Sequence, residues 1–166
     1  MLRMILAGAA LAFAIPAAAQ ETPDYTQVSV ETAPVTDAYI AAYTRRDWDA
    51  LEPLLADDAR FSDTTATRLF GPVLSEGREA IMQRFRVSYA SITHMEFTHG
   101  TRIVSGENGI YEGVLHWGLD LGNGTIVDSV TPMVVLLTVA DGKVTEHRDY
   151  VDYAPLLAAI EAARGE

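Results

Sequence analysis

The sequence of 166 residues contains no cysteine. The chain can therefore form no disulfide bond, and it offers neither a thiolate nucleophile nor a cysteine for lipid attachment. Basic residues are also few, since 12 Lys and Arg stand against 23 Asp and Glu, and the largest basic cluster is the pair Arg45-Arg46. A net charge of −11 gives no general attraction for nucleic acid or for an anionic membrane surface. We therefore predict no nucleic-acid partner.

Several motifs that bind cofactors or carry out catalysis are missing. The sequence has no phosphate-binding loop, no dinucleotide fingerprint and no GxSxG nucleophile elbow. Its histidines stand singly, without the HxH or HExxH spacing of metal ligands, at His94, His99, His116 and His147. The sequence therefore predicts neither a metal nor a cofactor.

The first 19 residues have the pattern of a secretory signal peptide. Arg3 precedes an uncharged apolar stretch over 4–15, and three alanines follow at 17–19. Small residues at these positions predict cleavage after Ala19. The alternative is a membrane anchor, but the apolar stretch is short for a spanning helix. We expect a periplasmic or secreted protein, with no stable membrane insertion once the signal peptide is removed.

The remainder has the composition of one globular domain, with 49% hydrophobic and 21% charged residues in the whole chain. Residues 20–34 are polar and contain two prolines, which predicts a linker. Helical spacing of apolar residues then indicates two helices within 35–59 and a third over 77–92. Between them, RFSDTT has the character of a short strand, and Ser75 to Gly77 that of a turn. The predicted domain therefore covers 35–166.

The sequence after Thr93 changes to strand-like runs. GEN, GNG and ADG are hairpin-turn signals that separate four such runs, at 94–104, 109–121, 125–139 and 143–151. Pro132 predicts a bulge or a kink in the third run, and a last helix is expected from Tyr153 to about Arg164. This order predicts an α+β fold, a cone-shaped curved antiparallel sheet with helices packed on its concave face. The interior of such a cone suits a small apolar molecule.

Two aspartates in HRDYVDYAPLL, residues 147–157, are candidates for different roles. Asp152 comes just before the last predicted helix, where its carboxylate can accept a backbone N–H of the first turn. Asp149 would share a strand face with His147, because side chains alternate along a strand. Asp149 is either part of a salt bridge on an exposed face or a catalytic carboxylate.

Further polar and aromatic residues could line the interior. Asp63 ends the predicted strand RFSDTT, where it either caps a turn or acts as an acid or base against an apolar wall. Tyr39 and Tyr43 lie one helical turn apart, as core aromatics or as donors to a developing oxyanion. His116 and Trp117 are adjacent in a predicted strand, so only one of them can face the interior.

Two blocks of the sequence resemble known enzymes. The block AYIAAYTRRDWDALEPLLADDARFSDTT is similar to the opening of ketosteroid isomerases, and Tyr39 and Asp63 fall on the oxyanion donor and the proton-transferring aspartate of that family. The isomerases' third residue, a protonated aspartic acid, has no counterpart in VTPMVVL. The block TPMVVLLTVADGKVTEHRDYVDYAPLL is similar to the end of limonene epoxide hydrolases, and Asp149 matches their water-activating aspartate. Their Arg-x-Asp pair is absent from VLHWGLDL, and Phe61 and Asp63 stand where they have tyrosine and asparagine.

From about residue 35 onward the chain therefore resembles the nuclear transport factor 2-like superfamily, in its SnoaL-like branch. The resemblance implies a cone that binds a small apolar molecule and carries out cofactor-independent acid/base chemistry of the isomerase, cyclase or hydrolase type. The catalytic residues would be Asp149 and Asp63, with Tyr39 and His116, and the ligand-binding residues Trp117, Phe61 and Tyr43. The alternative is a non-catalytic ligand carrier or a structural dimer, and analogy with the family suggests a homodimer.

Overall fold

The computed structural model describes residues 24–122 and 124–165. The predicted signal peptide lies outside the described residues. In the described part of the chain, no helix combines the length and the apolar character needed to cross a membrane. The helices and strands are, in order, α1 (Tyr25–Thr44), α2 (Trp48–Leu51), β1 (Leu55–Asp63), α3 (Thr67–Phe70), β2 (Val73–Glu76), α4 (Arg78–Ser88), β3 (Ile92–Ser105), β4 (Asn108–Asp120), β5 (Ile126–Ala140), β6 (Lys143–Val151) and α5 (Ala154–Arg164).

The strands form one curved, unclosed sheet in the order β2-β1-β6-β5-β4-β3. Strands β3 to β6 make the predicted antiparallel meander, which confirms the α+β fold class. Strand β1 pairs antiparallel with β2 and parallel with β6. The predicted turn over 75–77 is therefore wrong in part, because Ser75 belongs to β2 and pairs with Phe61.

One face of the sheet carries the core. Burial alternates along the whole of β5, as expected for a strand with one covered face. Helices α1 and α4 pack against this face, α1 on β3 and β4 and α4 on β1. The largest completely buried side chains come from both layers, and they include Tyr39, Tyr43, Phe61, Phe85, Leu137 and His147.

Helix α1 begins ten residues before the predicted domain boundary. The carboxylate of Asp24 accepts the N–H of Thr26 at 2.9 Å and starts the helix, which continues through Pro34. Its first half also packs on the β3–β4 turn, where the N–H of Gly106 donates to Ser29 Oγ at 2.9 Å. The linker prediction is therefore wrong for 25–34, because tertiary contacts outweigh the polar composition and the proline.

Two further predictions, for Pro132 and Asp152, can be compared with the structure where the pairing of β5 with β6 ends. Pairing of β5 with β4 runs through Pro132 without a register shift, so the predicted bulge is absent there. The Pro132 carbonyl accepts the N–H of Asp152 at 3.0 Å, beyond the last β5–β6 pair of Met133 and Val151. The nitrogen of Pro132 faces the same side of β5 as its carbonyl, toward the end of β6. Because β6 has already ended at Val151, the missing N–H of the proline interrupts no hydrogen bond between the two strands. Asp152 Oδ1 accepts the N–H of Ala154 at 3.0 Å, as predicted for the start of the last helix.

Candidate functional site

A cavity of about 320 Å³ opens between the covered face of the sheet and the helices. This volume is at the lower end of the range for small-molecule pockets. Most of its lining is apolar or aromatic, and a few polar groups converge on it. The lining residues are Phe61, Ala66, Phe70, Val73, Ile92, Met95, Leu115, Trp117, Leu119, Met133 and Val151, with Tyr43, Asp63, Arg84, Ser88, Tyr89, Ser91, Asp149 and Tyr153.

The parallel pairing of β1 with β6 brings two carboxyl groups together. Asp63 is the register partner of Asp149, so their side chains emerge on the same face of adjacent strands. Each is only 3% exposed, and each lines the cavity. The structure therefore places in one site the two aspartates that the sequence proposed as an acid/base pair.

Asp149 is held by two buried side chains. Its Oδ1 lies 2.7 Å from His147 Nε2, and its Oδ2 accepts the hydroxyl of Tyr43 at 2.8 Å. His147 is completely buried and shares the inner face of β6 with Asp149, two residues later. The other ring nitrogen, Nδ1, lies 3.0 Å from Tyr39 Oη. We assign to His147 the tautomer that carries its proton on Nε2. This tautomer donates to Asp149 and accepts the hydroxyl of Tyr39 at Nδ1, so both contacts of the ring are hydrogen bonds.

The network continues from Asp149 to the cavity wall through two tyrosines. Tyr43 Oη lies 2.7 Å from Tyr89 Oη, and since Tyr43 donates its proton to Asp149, Tyr89 donates to Tyr43. Burial raises the pKa of Tyr39, Tyr43 and Tyr89 above the usual value, and the negative charge of Asp149 raises each further. All three hydroxyls are therefore protonated at neutral pH.

Asp63 accepts more hydrogen bonds than Asp149 does. Its Oδ1 accepts Thr65 Oγ1 at 2.5 Å and the N–H of Ala66 at 2.9 Å, and its Oδ2 accepts the hydroxyl of Tyr153 at 2.7 Å. Burial raises the pKa of Tyr153, and the bond to Asp63 adds to the rise. Asp63 thus stabilises the turn after β1 and also lines the cavity. Asp149, with one partner on each oxygen, keeps more capacity for a substrate proton.

The remaining predicted residues divide between the cavity and its surroundings. Phe61, Tyr43 and Trp117 line it, and the Trp117 indole donates to Thr131 Oγ1 at 2.9 Å. Tyr39 lies behind His147 and does not line the cavity. His116 lies on the exposed outer face of β4, because alternation turns it away from the side that Trp117 occupies. The structure thus corrects the assignment of His116 to the site.

Three aromatic residues of the hydrogen-bond network around the two aspartates were absent from the prediction. His147 could have been found, because the alternation of β6 places it on the face of Asp149 and two residues away. Tyr89 and Tyr153 carry no local signal, since one follows α4 and the other precedes α5. Across 24–122 and 124–165, no three His, Cys, Asp or Glu side chains converge as metal ligands would.

The fold and the cavity define the class of protein. A curved sheet of six strands with helices over a small internal cavity is the nuclear transport factor 2-like arrangement, and solved structures of that class share it. The model of the SnoaL-like domain matches residues 36–147, and the chain belongs to that family. The resemblance inferred from the sequence is thereby confirmed. No curated protein matches the chain.

The solved structures that are similar to this chain are described with different activities. A protein of Shewanella denitrificans OS-217 described as a SnoaL-like polyketide cyclase is 22% identical, with a TM-score of 0.70 over 80% of this chain and 98% of that one. An LEH-like epoxide hydrolase of M. tuberculosis is 17% identical, with a TM-score of 0.62 over 86% and 96%. A protein of Catenulispora acidiphila DSM 44928 with a ketosteroid isomerase-like fold, in complex with trimethylamine, is 25% identical, with a TM-score of 0.63 over 77% and 92%.

The buried tyrosines predict the behaviour of the protein in alkali. Burial raises the pKa of Tyr111 to about 12, with the bond to Asp37 adding to the rise, while an unfolded tyrosine has a pKa of about 10. A raised folded pKa means that stability is fully present below about pH 10 and is lost as the pH rises toward the folded value. We expect tyrosinate absorbance from Tyr43, Tyr89, Tyr111 and Tyr153 to appear only together with loss of near-ultraviolet circular dichroism.

The control for this titration is the same chain in guanidinium chloride, where every tyrosine is solvated. If all the tyrosines ionised at about pH 10 while the native circular dichroism persisted, their burial in the folded chain would be contradicted.

Proposed function

We propose that the protein is an exported enzyme that uses acid/base chemistry, without a cofactor, on a small and mostly apolar molecule. The observation that carries the proposal is Asp149, which lines an apolar cavity while His147 and Tyr43 fix both of its oxygens. An oriented carboxylate of this kind is the arrangement that general-base catalysis requires. The signal-peptide pattern of residues 1–19 supports export.

Asp149 would accept a proton from carbon or from a water molecule that attacks the substrate. The proton would reside on the carboxyl group, where each oxygen has one protein partner and so keeps a free lone pair. Tyr153 gives its one hydroxyl proton to Asp63 Oδ2 at 2.7 Å, so it would donate to an oxygen that gains charge only after that bond is exchanged. Tyr39, to which the sequence assigned the oxyanion role, does not reach the cavity.

A non-catalytic carrier is the second candidate function. The observation in its favour is that both cavity carboxylates already have protein donors, three on Asp63 and two on Asp149. A carrier would bind an apolar ligand in the same cavity and release it unchanged. A homodimer is compatible with either function, and light scattering in solution would establish it.

The test is a thermal-shift screen of the chain from residue 20 onward against steroids, terpenoids and polyketide-like acids, followed by product analysis of the stabilising compounds. A ligand present at about 100 times its Kd should stabilise the protein by about 2.7 kcal/mol. Conversion of a stabilising compound to a product supports the enzyme. Tight binding with complete recovery of the compound would support the carrier instead.

Export has its own test. The full chain expressed in a Gram-negative host should appear in the periplasmic fraction with residue 20 at its amino terminus. Uncleaved protein in the cytoplasm would contradict the export proposal.

A further inference from the structure

The cavity contains one positive charge. Arg84 is the only cationic side chain among the described residues that line it. It lies on α4 one turn before Ser88, so the two side chains share a helix face, and both line the cavity. In a chain with a net charge of −11, an isolated cation at an apolar cavity is a distinctive feature.

The guanidinium of Arg84 is fixed without being neutralised. Its Nε donates to Ser75 Oγ at 2.7 Å and its Nη2 to the carbonyl of Leu74 at 3.0 Å, and both acceptors are uncharged groups of β2. Arg86 and Arg102, by comparison, bind carboxylates at 2.7 to 3.1 Å. Arg84 thus keeps a full charge and the N–H groups of Nη1, which no described protein atom accepts.

The charge of Arg84 acts within the cavity. Burial raises the pKa of Tyr89, and the positive charge of Arg84 partly offsets that rise. The guanidinium and the polar network of Asp149 therefore belong to one electrostatic environment. A positive group at one part of an apolar cavity and a carboxylate at another would orient a ligand that has a distinct polar end.

We propose that Arg84 binds the carboxylate of a small apolar acid and so directs the rest of that molecule toward Asp149. The inference rests on the cavity being the substrate site, as proposed above. Guanidinium binds carboxylate through short charge-assisted N–H···O bonds, here from Nη1, and a group already held by Ser75 and Leu74 loses little freedom when it does so. A monoanion suits the site better than a phosphate, since one arginine shares the cavity with Asp63 and Asp149.

The test uses two probes that differ only in the acid group, 2-naphthoate and 2-naphthamide, with calorimetric titration at neutral pH and low salt. We expect the wild-type protein to bind the naphthoate at least about tenfold more tightly, which is the usual effect of one charge-assisted hydrogen bond. Arg84→Gln should remove this difference by weakening the naphthoate alone. Arg86→Gln is the matched control, two residues further along the same helix and paired with Asp49 and Glu52 at the surface.

Several outcomes would overturn the inference. These are equal affinity for the two probes in the wild type, no binding of the naphthoate, or equal loss of both probes in Arg84→Gln. Tighter binding of 2-naphthylmethylamine than of the naphthoate would also overturn it, because the aspartates would then dominate recognition. Arg84→Lys keeps the positive charge and should still bind the naphthoate more tightly than the naphthamide. It is the variant to measure if Arg84→Gln does not fold.

This test is independent of catalysis. If the naphthoate preference depends on Arg84 but no compound is ever converted, the anion site stands and the enzyme proposal fails. If turnover depends on Asp149 while the probes bind equally well, the enzyme proposal stands and the anion site fails.

Discussion

Replacement of Asp149 by asparagine is expected to lower turnover by about 10²- to 10⁴-fold, the usual effect of removing a general base. The variant keeps the size of the side chain but loses the negative charge and, with it, the ability to accept a substrate proton. The measurement is kcat/KM with whichever compound the thermal-shift screen shows to be converted. Asp152→Asn is the matched control, because Asp152 lies three residues later, is exposed, and has a carboxylate that bonds only the start of α5.

The Asp149→Asn variant should also fold normally. The amide oxygen can accept the N–H of His147, and the amide nitrogen can donate to Tyr43 Oη, which then donates to Tyr89. We expect its free energy of unfolding to lie within about 1 kcal/mol of the wild-type value. Turnover within about twofold of wild type would exclude Asp149 as the base, whatever the stability.

His147→Leu is expected to cause the largest loss of stability, about 3–5 kcal/mol. His147 is completely buried, and its removal leaves one oxygen of Asp149 and the hydroxyl of Tyr39 without partners in the core. Urea denaturation monitored by circular dichroism would measure the change. His116→Leu is the control on the exposed face of β4, where a surface substitution should change stability by about 0.5 kcal/mol or less.

A double variant distinguishes the loss of the His147 side chain from the cost of leaving the charge of Asp149 unpaired. His147→Leu combined with Asp149→Leu removes the buried carboxylate as well, so it should be more stable than His147→Leu alone. If the single His147→Leu change cost less than about 1 kcal/mol, the imidazole would contribute little to the network.

The meander was predictable because its signals are local. Alternation and the turn sequences GEN, GNG and ADG lie within each strand pair, and the structure has strands at β3, β4, β5 and β6. The same alternation placed His147 beside Asp149 on one face. The start of α1 was not predictable from composition, because contacts of Ser29 with the β3–β4 turn stabilise residues that alone resemble a linker.

The site itself depends on contacts that the sequence does not display. The register of β1 with β6 joins Asp63 and Asp149, which lie far apart in the chain, and no local pattern encodes a parallel pair. Alternation predicts that His116 and Trp117 face opposite sides of the sheet. Which of the two faces the cavity depends on the side that α1 and α4 cover. The bond from Tyr153 to Asp63 spans 90 residues and has no signal in the sequence around either one.

The parallel β1–β6 pair has a consequence for how the protein is made. Residues of β1 leave the ribosome long before those of β6, and the N–H of Val151 reaches Thr65 Oγ1 only across 86 residues. Contacts of such separation form late, since a long loop must close before they contribute. A nascent chain that ends before β6 has α1 to α4 and Asp63 but lacks Asp149, His147, the strand that holds them and α5. If the proposed function holds, activity would therefore arise only when β6 pairs with β1, and incomplete chains would be inactive.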